Sequence, residues 1–265
     1  MLKVGFIGAG NIATAIINGA INSGYIIPEQ IHIYDLDSQK LDNLSKLGIN
    51  VCETEVELTK LCDFVFLTIK PQVYETVLNA IAKYSENTCF IDVAAGISIN
   101  YVKSILGNNT PVVRVMPNTP LMYGSGASAL VKADPVTDEQ FNFVKGFFES
   151  CGVVATVDES LIDTVIAISG SAPAYIMRFA NQLITYGADN GLSKGDACNL
   201  VLQTLVGCAK MINSSDKEIS ELIRMVTSPN GTTQAGLESL DKTNFDLSVR
   251  ECLDATVNRA KELSK

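Results

Sequence analysis

Lys3-Val4-Gly5-Phe6-Ile7-Gly8-Ala9-Gly10-Asn11-Ile12-Ala13 stands near the start of the chain, where an apolar, strand-like run passes into a glycine-rich turn and then an amphipathic stretch. In this context Gly8 permits a tight turn, Gly10 lets the backbone approach a pyrophosphate, and the small Ala13 lets the helix pack close to the strand. The start of the helix then offers N–H groups and a positive dipole end to phosphate. The segment predicts a dinucleotide-binding turn. A similar sheet that binds another nucleotide, or none, is the alternative.

The first half of the chain alternates short β-branched runs with helical patterns, which is typical of a parallel sheet covered by helices. Phe64-Val65-Phe66-Leu67 is apolar on both faces, as expected for a strand buried on both sides. The predicted fold class is α/β, with an N-terminal Rossmann domain whose sheet is doubly wound and mostly parallel. The predicted strands are Lys3–Ile7, Ile31–Asp35, Phe64–Thr68, Thr88–Val93, Val112–Met116, Ala127–Val131 and Val153–Thr156.

The strand pattern stops after about Asp158, and helical patterns fill the rest of the chain. We therefore predict a Rossmann domain at residues 1–157 and an all-helical domain at residues 158–265. The helical patterns carry broad apolar faces, for example around Leu200–Met211. Such a surplus favours subunit association through this region, in a homodimer or a higher homo-oligomer. A large core within one subunit is the alternative.

Composition excludes several classes of partner and site. The net charge of −9 disfavours nucleic acid and anionic membranes, which need a basic face. Seven cysteines without CxxC spacing favour neither a disulfide framework nor a metal site. The one histidine, His32, lies in a strand-like run, so a histidine relay is not expected. Charged and amide residues interrupt the apolar stretches before the ~20 residues of a membrane span, and no secretion leader is recognised, so we expect a cytoplasmic protein.

Asp35 stands at the end of the second predicted strand, where the acid that accepts hydrogen bonds from an adenosine ribose is expected. Its negative charge repels a 2′-phosphate, so the sequence favours NADH over NADPH. Lys40 nearby offsets part of this repulsion. The later strands end in loops built of small or stiff residues, Ile69-Lys70-Pro71, Ala94-Ala95-Gly96 and Pro117-Asn118-Thr119-Pro120, which suit the lining of a cofactor pocket.

Two segments of the second half are rich in hydroxyl groups. Ser228-Pro229-Asn230-Gly231-Thr232-Thr233 lies between two predicted helices, with Pro229 and Gly231 forming a turn and Thr232-Thr233 starting the next helix. Hydroxyl and N–H groups at a positive helix end are a suitable receptor for a small carboxylate. The other segment, Ser169–Tyr175, is predicted to be a turn in which Ser171 caps the longest helix.

The glycine turn, the loops after the strands, Arg114–Pro120, Ser169–Tyr175 and Ser228–Gly236 together resemble pyrroline-5-carboxylate reductase over essentially the whole chain. Ser228–Thr233 looks like the signature segment of that family, SPGGTT in its common form. Asn230 departs from the usual first glycine of the signature, and Ala172 departs from a common glycine or serine. The resemblance implies a Rossmann domain, a helical dimerisation domain and an active site shared between subunits.

The resemblance also implies roles for individual residues. NADH or NADPH would lie along Gly8, Gly10, Asn11, Ile12, Ala13, Asp35, Lys70, Ala95 and Asn118. The carboxylate of an imino-acid substrate would bind Ser228, Gly231, Thr232 and Thr233, with Thr233 hydrogen-bonded to the ring nitrogen as the catalytic group. Hydride transfer to the C=N carbon of 1-pyrroline-5-carboxylate then gives proline, with mostly positioning asked of the protein. No metal is implied.

Three alternatives remain open at this stage. A related cyclic-imine reductase would share the same features. A β-hydroxyacid dehydrogenase would share the domain plan but looks for a lysine on the long helix, where this chain reads Tyr175-Ile176-Met177-Arg178-Phe179-Ala180-Asn181. A non-catalytic nucleotide-sensing scaffold would not need the second hydroxyl-rich site.

Overall fold

The computed structural model describes residues 2–264, within which eight strands and twelve α-helices are assigned. The strands are β1 (Val4–Ile7), β2 (Ile31–Tyr34), β3 (Asn50–Val51), β4 (Phe64–Leu67), β5 (Cys89–Asp92), β6 (Val112–Met116), β7 (Gly126–Val131) and β8 (Gly152–Thr156). The helices are α1 (Asn11–Asn22), α2 (Ser38–Ser45), α3 (Glu55–Leu61), α4 (Tyr74–Ile81), α5 (Ile99–Leu106), α6 (Asp138–Glu149), α7 (Ile162–Val165), α8 (Ala172–Asp189), α9 (Lys194–Asn213), α10 (Ile219–Met225), α11 (Thr232–Lys242) and α12 (Phe245–Leu263).

The strands form one sheet in the order β3-β2-β1-β4-β5-β6-β7-β8. Neighbours are parallel except β6 and β7, which are antiparallel. The predicted fold class, a doubly wound and mostly parallel sheet followed by helices, is confirmed. Because β1, β4, β5 and β6 are parallel neighbours, their carboxyl ends and the loops that follow lie along the same edge of the sheet.

Alternate side chains of the central strands pack into two apolar clusters, one on each face of the sheet. On one face Phe6 of β1 stacks on Phe66 of β4 with ring centroids 4.5 Å apart, and Phe147 of α6 packs against both rings. On the other face Ile7 and Leu67 belong to the second cluster. Burial of each such side chain contributes about 1.5–3 kcal/mol, so the ends of β1 and β4 are held firmly side by side.

Two elements of the sheet region are absent from the sequence-based prediction. β3 is two residues long and both are exposed, so it carries no apolar alternation. α3 is seven residues long and begins where the Thr54 side chain accepts a hydrogen bond from the Glu57 N–H. Neither is long enough to show a period in the sequence.

The chain divides into two compact units. One contains the chain as far as Pro173 together with the segment from Thr256 onward, and the other is Ala174–Ala255. The strand pattern ends with β8 at Thr156. The domain boundary between residues 157 and 158 stays a prediction.

The helices of the second unit expose many apolar side chains. Ile176, Met177 and Leu200 are each 55% or more exposed. By length and a mean hydropathy of 1.3, the helical stretch Glu159–Asp189 would also suffice to cross a membrane, with 17% of its most apolar window buried. The stretch agrees with the prediction that charged residues interrupt the apolar runs, because Asp163 and Arg178 both lie within it. One helix of this kind is weak evidence of a span, because a helix at a subunit interface has the same composition.

The end of α12 lies against the loop that follows β5. Gly96 in this loop has φ +80°, and a Cβ on it would meet the carbonyl oxygen of Leu263 at 2.6 Å. Ala260, one turn earlier on α12, is buried in the same apolar cluster as Ala94. Glycine at position 96 is therefore required both by the backbone angle and by the close approach of α12.

A comparison of Gly96→Ala with Gly24→Ala separates the cost of the backbone angle from the cost of the close approach of α12. Gly24 has φ +75°, but a Cβ on it would meet nothing within 4 Å, so its replacement should cost only about 1 kcal/mol of backbone strain. Gly96→Ala should cost about 3 kcal/mol, because overpacking against the α12 backbone adds to the strain. Urea denaturation measures both free energies of unfolding. Equal losses in the two variants would contradict the contact with α12.

Candidate active site

The glycine turn joins β1 to α1 and is held by its neighbours on both sides. The Gly8 N–H donates to the Tyr34 carbonyl oxygen of β2 at 2.7 Å. On the β4 side, the Thr68 hydroxyl donates to the Gly8 carbonyl oxygen at 2.6 Å. Gly8 has φ +100°, and a Cβ there would meet the Thr68 carbonyl oxygen at 2.6 Å. The tight turn predicted at Gly8 therefore has two physical causes, backbone angle and lack of space.

Gly10 meets a different requirement, because a Cβ there would meet nothing within 4 Å. It is the N-cap residue of α1, and no side chain caps the helix start. Asn11 is exposed, Ile12 is half-buried and Ala13 is fully buried against the sheet. The open space and free N–H groups beside Gly10 fit a pyrophosphate, and a cleft of ≈ 400 Å³ lined by Ala9, Gly10, Asn11, Thr14, Asn18, Lys40, Asn43, Leu44 and Leu47 adjoins this turn.

Asp35 lies directly after β2 and its carboxylate binds the glycine turn. One oxygen accepts the Ala9 N–H at 2.7 Å, and the other accepts the Asp37 N–H at 2.9 Å. The Lys40 ammonium lies 3.6 Å from Asp35 Oδ1. Partial burial opposes ionisation of Asp35, but the Ala9 and Asp37 N–H groups and Lys40 together hold its pKa below the usual value. Asp35 is therefore a charged acceptor beside the turn, where the prediction placed it.

Lys70, Ala95 and Asn118 follow β4, β5 and β6 and lie along the same edge of the sheet. Lys70 and Ala95 are exposed. Asn118 is buried, and its amide is engaged within the protein: Oδ1 accepts the Ala127 N–H at 2.9 Å, and Nδ2 lies 3.3 Å from Ser169 Oγ. The side chain of Asn118 therefore joins β7 and Ser169 to the loop, and its predicted contact with cofactor stays a prediction.

The segment from Ser169 to Tyr175 differs from the predicted turn. Ile166–Gly170 is a π-helical segment that leads almost directly into α8. Ser171 has φ −93° and ψ −23°, and its N–H donates to the Ile166 carbonyl oxygen at 2.8 Å. An N-cap residue takes extended angles, so the predicted capping role of Ser171 is wrong. Pro173 has no N–H to offer to the Ser169 carbonyl, and the Asn118 amide lies 3.4 Å from that oxygen.

In the other unit, Ser228–Thr233 forms a turn that starts α11. The Gly231 N–H donates to the Ser228 carbonyl oxygen at 3.0 Å, and Asn230 takes φ 56°. Asparagine tolerates this left-handed angle better than most residues, so the substitution at the usual glycine keeps a turn. Gly231 is the N-cap of α11, without a side-chain cap. The hydroxyl groups of Ser228, Thr232 and Thr233 belong to exposed residues, so this helix start is open to an anion.

A buried polar network beneath the carboxyl edge of the sheet was not predicted. Asp92, the last residue of β5, is 0% exposed. Its Oδ1 accepts the Tyr74 hydroxyl at 2.6 Å and the Ala94 N–H at 3.0 Å. Its Oδ2 has no hydrogen-bond partner among the described residues. Burial raises the pKa of Asp92 to about 6, against the opposing effects of the Tyr74 and Ala94 bonds and of Arg114.

Arg114 of β6 is a cation whose charge acts on Asp92, but it pairs with another acid. Its Nη1 lies 2.9 Å from Glu159 Oε1, and that oxygen also accepts the Ile99 N–H at the start of α5. Within the described chain, no ion pair of 4.0 Å or less joins Arg114 to Asp92. A single acid in the apolar run Phe90-Ile91-Asp92-Val93 is the sequence signal that could have pointed to a buried polar group.

Two family models match the chain. Residues 3–96 match the family described as NADP oxidoreductase, coenzyme F420-dependent, and residues 159–263 match the family described as pyrroline-5-carboxylate reductase dimerisation. The chain is 35% identical to the pyrroline-5-carboxylate reductase of Staphylococcus epidermidis, over 99% of this chain and 98% of that protein. It is 36% identical to that of Arabidopsis thaliana, over 99% and 96%. A solved Plasmodium falciparum pyrroline carboxylate reductase with NADP bound has a TM-score of 0.92 and 31% identity, covering 100% of this chain and 98% of that one.

Replacing Asp92 with asparagine should change the pH dependence of stability. Because the folded protein raises the pKa of Asp92 from 3.8 to about 6, it binds this proton more tightly than the unfolded chain does. The free energy of unfolding therefore falls as pH rises from about 4 to about 6, by on the order of 3 kcal/mol, and the loss persists at higher pH. Asp92→Asn removes this loss, so its stability relative to wild type should increase over the same interval in urea denaturation.

Asp138→Asn is the control for this measurement. Asp138 is exposed and its pKa is lowered by the hydrogen bond from Lys132. Its contribution to stability is present above the usual pKa and is lost as pH falls, so the control should change the slope weakly and in the opposite direction. If Asp92→Asn leaves the pH dependence of the free energy of unfolding as it is in wild type, the raised pKa of Asp92 is contradicted.

Proposed function

The chain belongs to the pyrroline-5-carboxylate reductase family, and we propose on this premise that it reduces 1-pyrroline-5-carboxylate to L-proline with NADH or NADPH. The observation that carries the proposal is the full-length match to pyrroline-5-carboxylate reductases at 35–36% identity. This match includes both the nucleotide-binding turn and the Ser228–Thr233 segment. It disfavours a β-hydroxyacid dehydrogenase, and α8 (Ala172–Asp189) contains no lysine that could serve as the acid for alcohol chemistry.

Reduced nicotinamide, when bound, supplies the hydride that reaches the C=N carbon. The chain's own residues bind and orient. Gly10, Asn11, Ile12 and Ala13 hold the pyrophosphate through backbone N–H groups at the start of α1. Gly8 shapes the turn that brings the pyrophosphate there, because its own N–H is bonded to the Tyr34 carbonyl oxygen. Asp35 accepts from the adenosine ribose, and Lys70, Ala95 and Asn118 line the remainder of the cofactor site.

Ser228, Gly231, Thr232 and Thr233 bind the substrate carboxylate at the uncapped start of α11. The Thr233 hydroxyl donates to, or accepts from, the ring nitrogen, according to whether that nitrogen carries a proton. An imine needs little more than this, because protonation of its nitrogen already makes the carbon electrophilic. The absence of a histidine relay is consistent with such a reaction, since His32 is buried and burial lowers its pKa.

The protein forms a homo-oligomer, in agreement with the dimerisation family matched by residues 159–263. The exposed apolar side chains of α8 and α9 supply the interface, as a homodimer or a larger assembly of dimers. A cytoplasmic location, without nucleic-acid or membrane partners, is in keeping with the net charge of −9.

Thr233→Ala tests the catalytic assignment. Loss of one hydrogen bond to the reacting ring should lower kcat/KM for the imine by roughly tenfold, with the KM for cofactor unchanged. Thr243→Ala is the matched control, because Thr243 caps the far end of α11 and its hydroxyl donates to the Ser239 carbonyl oxygen. Steady-state oxidation of NADH or NADPH measures both variants. A Thr233→Ala enzyme with wild-type kcat/KM removes Thr233 from the mechanism.

Asp35→Asn tests the preference for NADH. Removal of the negative charge beside the ribose should lower the KM for NADPH relative to that for NADH by about tenfold. Asp37→Asn removes an equal charge two residues away, also 3.6 Å from the Lys40 ammonium, and should leave the ratio near its wild-type value. If wild type already prefers NADPH, or both variants shift the ratio equally, Asp35 does not select the cofactor.

A further inference from the structure

Asp92 and Tyr74 connect the two loops that, in the proposed function, line the cofactor site. The loop after β4 begins after Leu67 and ends at Tyr74, the first residue of α4. The Tyr74 hydroxyl lies 2.9 Å from the Leu67 carbonyl oxygen and 2.6 Å from Asp92 Oδ1. The two ends of the loop that carries Lys70 are thus joined by the Tyr74 hydroxyl. The same hydroxyl is hydrogen-bonded to Asp92.

The same carboxyl oxygen of Asp92 fixes the next loop. Asp92 Oδ1 accepts the N–H of Ala94, the residue before Ala95, at 3.0 Å. Gly96 follows, in contact with the end of α12. One buried oxygen atom therefore sets the positions of two neighbouring loops on the edge of the sheet where the nicotinamide ring would lie.

The surroundings of Asp92 suit an uncharged carboxyl group. Its Oδ2 is buried and has no hydrogen-bond partner in the described chain. The charged and titratable groups that act on it are Tyr74 of α4, Arg114 of β6 and Glu159. Arg114 is engaged by Glu159 at 2.9 Å, and Glu159 is itself an acid, so neither neutralises a carboxylate at position 92. A buried carboxylate that has no ion pair and one unbonded oxygen is costly and attracts water or a rearrangement.

We propose that Asp92 is a positioning residue of the cofactor site that acts in its neutral form, holding the loops after β4 and β5 through Tyr74 and the Ala94 N–H. Ionisation places a buried negative charge on a carboxyl group whose Oδ2 has no partner in the described chain, so the group turns toward Arg114 or water and away from the Tyr74 hydroxyl and the Ala94 N–H. Both loops then lose the contact that holds them. Cofactor affinity therefore weakens as pH rises. This inference rests on the proposed function only for the identity of the cofactor.

The experiment measures the Kd of NADH and of NADPH by nicotinamide fluorescence between pH 5 and pH 8.5, without imine, for wild type and Asp92→Asn. The asparagine amide oxygen can accept both hydrogen bonds but never ionises. Wild-type Kd should increase by roughly fivefold as pH rises through the pKa of about 6. Asp92→Asn should keep the low-pH affinity throughout. For each cofactor, a ratio of the wild-type Kd to the Asp92→Asn Kd that stays constant with pH overturns the proposal.

Tyr74→Phe provides a second readout that does not depend on the folding of Asp92→Asn. It removes the link to Leu67, so Kd should increase by roughly fivefold even at low pH. Thr88→Val is the matched control, because it deletes a buried hydroxyl at the opposite end of the same strand region. An equal effect of Thr88→Val on Kd would show a merely structural role and overturn the proposal.

Steady-state kinetics separate this inference from the proposed function. At saturating imine, Tyr74→Phe should raise the KM for cofactor with little change in kcat. If wild type binds NADH or NADPH but does not oxidise it with 1-pyrroline-5-carboxylate, the proposed function fails while the fluorescence test of Asp92 still decides the inference. If wild type turns over the imine and its cofactor Kd is independent of pH, only the inference fails.

Discussion

In the proposed reaction, a chain with a net charge of −9 binds anionic ligands through backbone N–H groups at helix starts. α1 and α11 both begin after a glycine, Gly10 and Gly231, and neither has a side-chain cap. By contrast, α2, α3, α5, α6 and α9 are capped by Asp37, Thr54, Ser98, Thr137 and Ser193. α4, α7 and α10 also lack a side-chain cap, but they begin after Val73, Leu161 and Glu218 and not after a glycine. An uncapped start keeps its N–H groups and its partial positive charge available, typically about 0.3–1 kcal/mol per anionic group. The sequence thus leaves open the two helix ends that the proposed reaction needs.

The sheet places the open start of α1 beside the other loops of the proposed cofactor site. Parallel pairing of β2, β1, β4, β5 and β6 places their following loops along one edge. Stacking of Phe6 on Phe66 and the bonds from Thr68 to the glycine turn fix the spacing of the first loops. Buried Asp92 is hydrogen-bonded to Tyr74 and to the Ala94 N–H, and so holds the loops after β4 and β5. The base of the proposed cofactor site is accordingly held by buried contacts and hydrogen bonds, while Lys70 and Ala95, which would face the ligand, remain exposed.

The sequence was sufficient for features that depend on neighbouring residues. The apolar strands, the turn at Gly8, the acid at Asp35 and the helix start at Thr232 all follow from local pattern and backbone stereochemistry. Features that depend on distant partners were not predictable. Tyr74 and Asp92 are 18 residues apart, and Asn118 reaches Ser169 across 51. The sequence predicts a turn at Ser169 and Gly170, where the structure has the end of the π-helical segment Ile166–Gly170. Serine and glycine suit either structure, and only the backbone hydrogen bonds distinguish them.

The apolar helices of the second unit have two physical explanations, a bilayer or another protein surface. Tyr186 is 72% exposed and Met177 63%, more apolar surface than an isolated soluble unit usually leaves in water. A bilayer would enclose Arg178 and Asn181 of α8 together with these side chains, at a cost of about 3 kcal/mol for a charged residue near its centre. A second copy of the chain would cover the apolar groups. The polar groups would lie at the rim of the interface, where they can bind water or partner groups. Subunit association is therefore the explanation that accommodates the whole composition of α8, and the dimerisation family that matches this region agrees with it.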